Sequence, residues 1–123
     1  MSPDVIKQDF ESALVKHISF KARLRSFLYG NSNSEGPLRD PDQCGLGKWI
    51  TTRREGAYAH IPEMKELDQQ HRLIHQQANN LMDMHLGGRR DEALAGFKDV
   101  QERADHITRL LQTIENKLRI AEA

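Results

Sequence analysis

The chain has 123 residues, 37% hydrophobic and 29% charged, and its 18 basic residues balance 18 acidic ones. That length makes one domain, residues 1–123, with a single core. A formally neutral chain without a run of Lys or Arg lacks the basic face that phosphate neutralisation needs, so nucleic acid is not the expected partner. Arg53-Arg54 and Arg89-Arg90 read instead as solvated charges. No stretch approaches the roughly 18 uninterrupted apolar residues of a membrane span. The opening MSPDVIKQDFESALVK, charged from Asp4 onward, is unlike a signal peptide. One cysteine permits no intramolecular disulfide, which agrees with a cytoplasmic, reducing setting.

From the N-terminus, Ile6, Phe10, Ala13, Leu14, His17, Phe20, Leu24, Phe27 and Leu28 recur at helical spacing on one broad stripe. NSNSEGPLRDP, residues 31–41, reads as a loop. A short helix follows, with Asp40 as cap, Pro41 at its first position, Gln43 completing a capping box and Cys44 in its first turn, ending near Thr52. Gly45 and Gly47 each cost this helix roughly 1 kcal/mol against alanine, which makes sense where another backbone or a ligand comes close.

EGAYAHIP, residues 55–62, is a second loop and ends in a proline suited to a helix start. The third helix carries Met64, Leu67, His71, Ile74, His75, Ala78, Leu81 and Met82 on one face and stops at Gly87-Gly88. The last carries Leu94, Phe97, Val100, Ala104, Ile107, Leu111, Ile114, Leu118 and Ala121. Nothing alternates with period two. The expected fold is all-α: an antiparallel four-helix bundle with one short helix. The width of the first stripe, where Ile6, Ala13, Phe20 and Phe27 flank Phe10, Leu14, Leu24 and Leu28, favours a homodimer.

Three of the six histidines fall on core stripes. His71 and His75, four apart, project from one helix face at a spacing that lets two imidazoles hold one ion. Each histidine taken alone reads equally as a buried, hydrogen-bonded core residue. The i, i+4 pair together with His17 and the thiol of Cys44 makes a metal site an even alternative. His85 reads as a helix-end cation, His60 as a loop residue, and His106 lies beside its stripe. Three imidazoles and a thiolate suit tetrahedral zinc. Copper stays open on ligand type, whereas a di-iron site fails, because the residues four after His17 and His75 are Lys21 and Asn79 rather than carboxylates. Four protein ligands leave no open position for activated water and no Glu stands beside the His pair, so an enzyme is not expected. A thiol at a helix start, next to a metal, is suited to redox chemistry.

A histidine in the first helix, the run Cys44, Gly45, Leu46, Gly47, Lys48, Trp49 as C-x-L-G-x-W, and His71 and His75 as H-x-x-x-H together resemble the chemoreceptor zinc-binding domain family over essentially the whole chain. The resemblance implies a dimeric four-helix bundle and a closed zinc site formed by His17, Cys44, His71 and His75. Leu46, Gly47 and Trp49 would pack around it. It further implies regulation of bacterial chemoreceptors or diguanylate cyclases in response to zinc or to oxidants such as hypochlorous acid, with Cys44 the redox-reactive group. A structural dimerisation module held by zinc, or a zinc buffer, is the alternative. No effector segment is evident, so the chain is expected to be either a stand-alone member or an excised domain.

Overall fold

A computed structural model describes residues 2–31 and 34–122. Met1, Ser32, Asn33 and Ala123 lie outside the described residues, among them two positions of the expected loop 31–41. The regular structure among the described residues is entirely helical: α1 (Pro3–Leu28), α2 (Gly36–Arg39), α3 (Gly45–Glu55), α4 (Glu63–Leu86) and α5 (Arg90–Glu122).

Each long helix begins and ends where its chemistry dictates. The Ser2 hydroxyl accepts the Val5 N–H at 3.2 Å and Pro3 follows it, so an orphan donor is satisfied at a position where proline loses nothing. α4 places Glu63 and Glu66 in its first turn and stops at Gly87 and Gly88, the latter at φ +87°, a conformation that favours glycine. α5 starts two residues later with Asp91 and Glu92 in its first turn and, at 33 residues, is the longest element. It packs along both α4 and α1, while α2 and α3 sit on α4 and against α1.

The region between α1 and α4 departs from expectation. The loop contains α2, a single turn started by Pro37 and held by an ion pair between Glu35 and Arg39 at 2.8 Å. Asp40 does not cap α3; it ends α2, and its Oδ1 accepts the Asp42 N–H at 2.8 Å, which folds a turn rather than a helix start. α3 begins only at Gly45, with Cys44 as its N-cap residue, and runs to Glu55. The carboxylate that looked like a cap prefers the nearer backbone donor two residues on.

The stripe of α1 is wide because it serves one crowded core. Ile6, Ala13, Phe20 and Phe27 are buried inside a single chain together with Phe10, Leu24 and Leu28. Leu14 of the same stripe is only half-buried, and Val15 and Ile18 of α1 are exposed. At the start of α1, Phe10 meets Trp49 edge-on at 5.2 Å and stacks on Tyr58 at 5.5 Å, pairs worth about 0.5–1.5 kcal/mol each beyond their burial.

Beside this cluster the Asp9 carboxylate accepts four hydrogen bonds from three residues: two from the Arg53 guanidinium, one from Tyr58 Oη at 2.6 Å and one from Trp49 Nε1 at 3.2 Å. Burial pushes the Asp9 carboxyl up, but the hydrogen bonds and the Arg53 charge outweigh it and hold it below the ordinary carboxylate range. Tyr58, fully buried within a loop, is pushed up by burial and by that same carboxylate.

Asp9→Asn is expected to cost about 1–3 kcal/mol near neutral pH, because it weakens charge-assisted bonds to three groups at once. A carboxyl held low in the folded state stabilises fully above its unfolded value of 3.8 and loses that contribution as pH falls through its folded value. Urea unfolding of wild type and variant near neutrality and again at about pH 3 should show the gap between them shrinking in acid.

Candidate metal centre

α4 carries His71 and His75 on successive turns of its buried face, 2% and 1% exposed. Their ring centroids lie 4.6 Å apart and their Nε2 atoms 3.1 Å apart. His75 donates its Nδ1–H to the Leu38 carbonyl at 2.8 Å. That bond fixes the tautomer and leaves the Nε2 lone pair facing His71. Burial lowers the His75 pKa despite the opposing Leu38 carbonyl. Burial, and then the charges His75, His17 and Arg72 would bring, push His71 down to about 3. Both rings are thus neutral near pH 7, and two neutral imidazole nitrogens this close share either one proton or one cation.

The Leu38 carbonyl is aimed by a clasp one helical turn further along α4. Arg39 Nη1 donates to Asn79 Oδ1 at 3.2 Å, Asn79 Nδ2 donates back to the Arg39 carbonyl at 3.0 Å, and Arg39 Nη2 pairs with Asp83 at 3.0 Å. α2 is thereby pinned on α4 with its last carbonyls over His75. The turn that follows brings Cys44, 4% exposed, to the two histidines. Its Sγ and one nitrogen from each ring all lie within 4.8 Å of one another.

Gly47 is what lets this turn close. A Cβ there would stand 1.8 Å from the Pro41 carbonyl oxygen and 2.9 Å from His71 Cε1, so the α3 backbone lies flush on the ligand-bearing turn and on the imidazole. Leu46 is fully buried beside it. Trp49 faces the other way, with its ring on Phe10 and Tyr58 and its Nε1 on Asp9. It ties α3 to α1 rather than walling the histidines.

His17 is not among the three groups whose donor atoms converge. It is 1% exposed on α1 and near enough to His71 to depress that ring when charged. Its Nε2–H donates to the Ala104 carbonyl of α5 at 3.0 Å, which leaves Nδ1 as the nitrogen with a lone pair. Burial lowers its pKa, with the Ala104 carbonyl opposing.

Of the other histidines, His85 lies in the last turn of α4, buried against Phe27 with centroids 5.4 Å apart and Nδ1 unpartnered. His60 is exposed and His106 pairs with Glu66 at 3.2 Å.

Sequence reasoning named Cys44, His71 and His75, which converge, and missed their supports. The Leu38 and Ala104 carbonyls carry no residue signature. The Arg39–Asn79 clasp gave only a faint one, an amide four residues after His75.

The donor set fits zinc. Ligand atoms around one tetrahedral zinc stand about 3.3–3.6 Å apart, given bonds of roughly 2.0–2.3 Å. The 3.1 Å histidine pair and the sulfur within 4.8 Å need shifts of only fractions of an ångström to about one ångström. Among the described residues no carboxylate joins the group, as a di-iron centre would require.

A family model described as the chemoreceptor zinc-binding domain matches residues 17–82, more than half of the chain. The chain belongs to that family. The match opens on His17 and encloses Cys44, His71 and His75. Zinc is the metal of the family, whose members are regulatory signalling domains rather than catalysts and occur in chemoreceptor-type proteins. No curated protein and no solved structure gives a significant match to the chain. Among the described residues no helix is long and apolar enough to cross a membrane.

Gly47→Ala is expected to destabilise the fold by about 1–3 kcal/mol, because the atoms it meets are backbone and a packed ring. Gly45→Ala is the control: its Cβ would sit 3.5 Å from Lys16 Cδ, an ordinary contact, and should be neutral or slightly stabilising. Denaturant unfolding of the pair separates steric closure at Gly47 from helix propensity.

Proposed function

We propose that residues 1–123 form a single zinc-dependent regulatory domain, a dimeric four-helix bundle in which α2 counts as part of the connection. Its sensing site is made by Cys44, His71 and His75 with His17 as fourth ligand. The observation that carries this reading is the convergence of one thiol and two neutral imidazoles, one of them with its tautomer fixed by the Leu38 carbonyl, at a buried point. His17 would join through Nδ1, with the Ala104 carbonyl holding its Nε2–H, the arrangement usual for a metal-bound histidine. Zinc held by these four residues would stabilise the Cys44 thiolate, and four protein ligands would leave no position for an activated water. The domain is therefore a regulator and not an enzyme.

The signal is a change in what Cys44 can bind. Hypochlorous acid oxidises the thiolate by two electrons: an S–O bond forms, the O–Cl bond breaks, and sulfenic acid and chloride result. The sulfur then carries no charge with which to hold a cation, and α3 is freed at its N-terminus. Output passes to a chemoreceptor or diguanylate-cyclase type partner in a bacterial cytoplasm, or across a homodimer. A homodimer would have the exposed α1 residues Val15 and Ile18 available to cover.

Protein purified without added metal is expected to hold one zinc per chain by elemental analysis. Cys44→Ala and His71→Ala should lose it, and His17→Ala should bind about 10–100-fold more weakly. Light scattering should give twice the chain mass. Removing zinc with a chelator should raise hydrogen exchange in residues 36–55 and leave α5 protected; global unfolding instead would make the domain a structural dimerisation module. Rapid zinc exchange with a competing chelator would make it a buffer.

A further inference from the structure

Cys44 is not sealed in on all sides. A half-open groove of about 270 Å³ runs between α1 and the α2–α3 connection and reaches the residue, with Phe20 and Leu38 as apolar walls and Gly45 at its end. Two cations of α1 line it, Lys16 and Arg23. The Lys16 stem lies over Gly45, within 3.5 Å of where a Cβ would be, and its Nζ donates to Ser12 Oγ at 2.7 Å. Neither cation is paired with a carboxylate among the described residues, and no carboxylate lines the groove. The acidic groups of the neighbouring segment are turned elsewhere: Glu35 to Arg39, Asp40 to the Asp42 N–H and Gln43, and Asp42 to Arg72.

We infer that this groove is the route by which reagents reach the thiol of Cys44, and that Lys16 and Arg23 make it selective for small anionic electrophiles. The inference rests on reading Cys44 as the reactive group of the site, and adds which molecules reach it and by which path. An unpaired cation beside a low-dielectric wall concentrates anions locally and disfavours cations. The apolar walls limit the size of what enters. Lys16 and Arg23 are specificity-determining residues that need not touch the sulfur.

Iodoacetate and iodoacetamide test this, being nearly equal in size and differing in charge. Each alkylates a thiolate by the same displacement, in which the S–C bond forms, the C–I bond breaks and iodide leaves. The readout is the ratio of their rates at Cys44, followed by intact mass on the protein as purified, with the denaturant-unfolded chain as reference. The ratio should be at least about 3-fold higher in the folded protein. Lys16→Met and Arg23→Gln should each lower it about 2-fold, Lys16→Arg should preserve it, and added salt should compress it.

A folded-state ratio equal to that of the unfolded chain, or one indifferent to both neutralising variants, would overturn the inference while leaving a zinc-loaded protein and the regulatory reading intact. No alkylation by either reagent would overturn the groove as an access route. An elevated, variant-sensitive ratio in protein that contains no zinc would uphold the groove and sink the metal reading.

Discussion

Two imidazoles buried four residues apart on one helix set the conditions for everything around them. Water is excluded from both, and burial holds both neutral, so each ring nitrogen needs a protein partner or a cation. His75 takes the Leu38 carbonyl, which obliges α2 to lie across α4. The pair then shares what stands between its Nε2 atoms, and Cys44 is brought to that point by the turn that follows. The segment from Glu35 to Cys44, which holds the single turn α2, is therefore tied closely to the site.

The supporting contacts form layers. Arg39, Asn79 and Asp83 fasten α2; α2 aims a carbonyl; the carbonyl sets a tautomer; the tautomer exposes a lone pair. A similar relation holds on the far side, where Ala104 of α5 takes the Nε2–H of His17. The three converging groups and their supports thus draw on α2, the start of α3 and α4, while the His17 bond joins α1 to α5 beside them.

How much of this was legible in the sequence follows from how each feature is encoded. Periodicity marked α1, α4 and α5, because an apolar residue every three or four positions has no other use over twenty residues. The Cys and His side chains were legible because few residue types bind metal. Asp40 was misread: a carboxylate before proline suits a helix cap and a turn equally, and only the tertiary position of α2 decides for the turn. α2 itself was hidden in a segment rich in turn formers. Tyr58 and His85 pack on Phe10 and Phe27 of α1, and local spacing does not name such distant partners. Asp9 gave no sign, since a single exposed-looking acid near a helix start is commonplace.

The Asp9 carboxylate has a mechanical meaning once the whole of α3 is considered. That helix is fastened at its N-terminus through Cys44 and at its other end through Arg53 and Trp49, with Tyr58 just beyond. The two anchorages differ in kind, one oxidisable and one made of hydrogen bonds indifferent to redox state. Between those two ends Leu46 and Ile50 are fully buried, so α3 is seated on the bundle along its length. One carboxylate near the start of α1 thus sets where the far end of α3 lies, at the opposite end of that helix from Cys44.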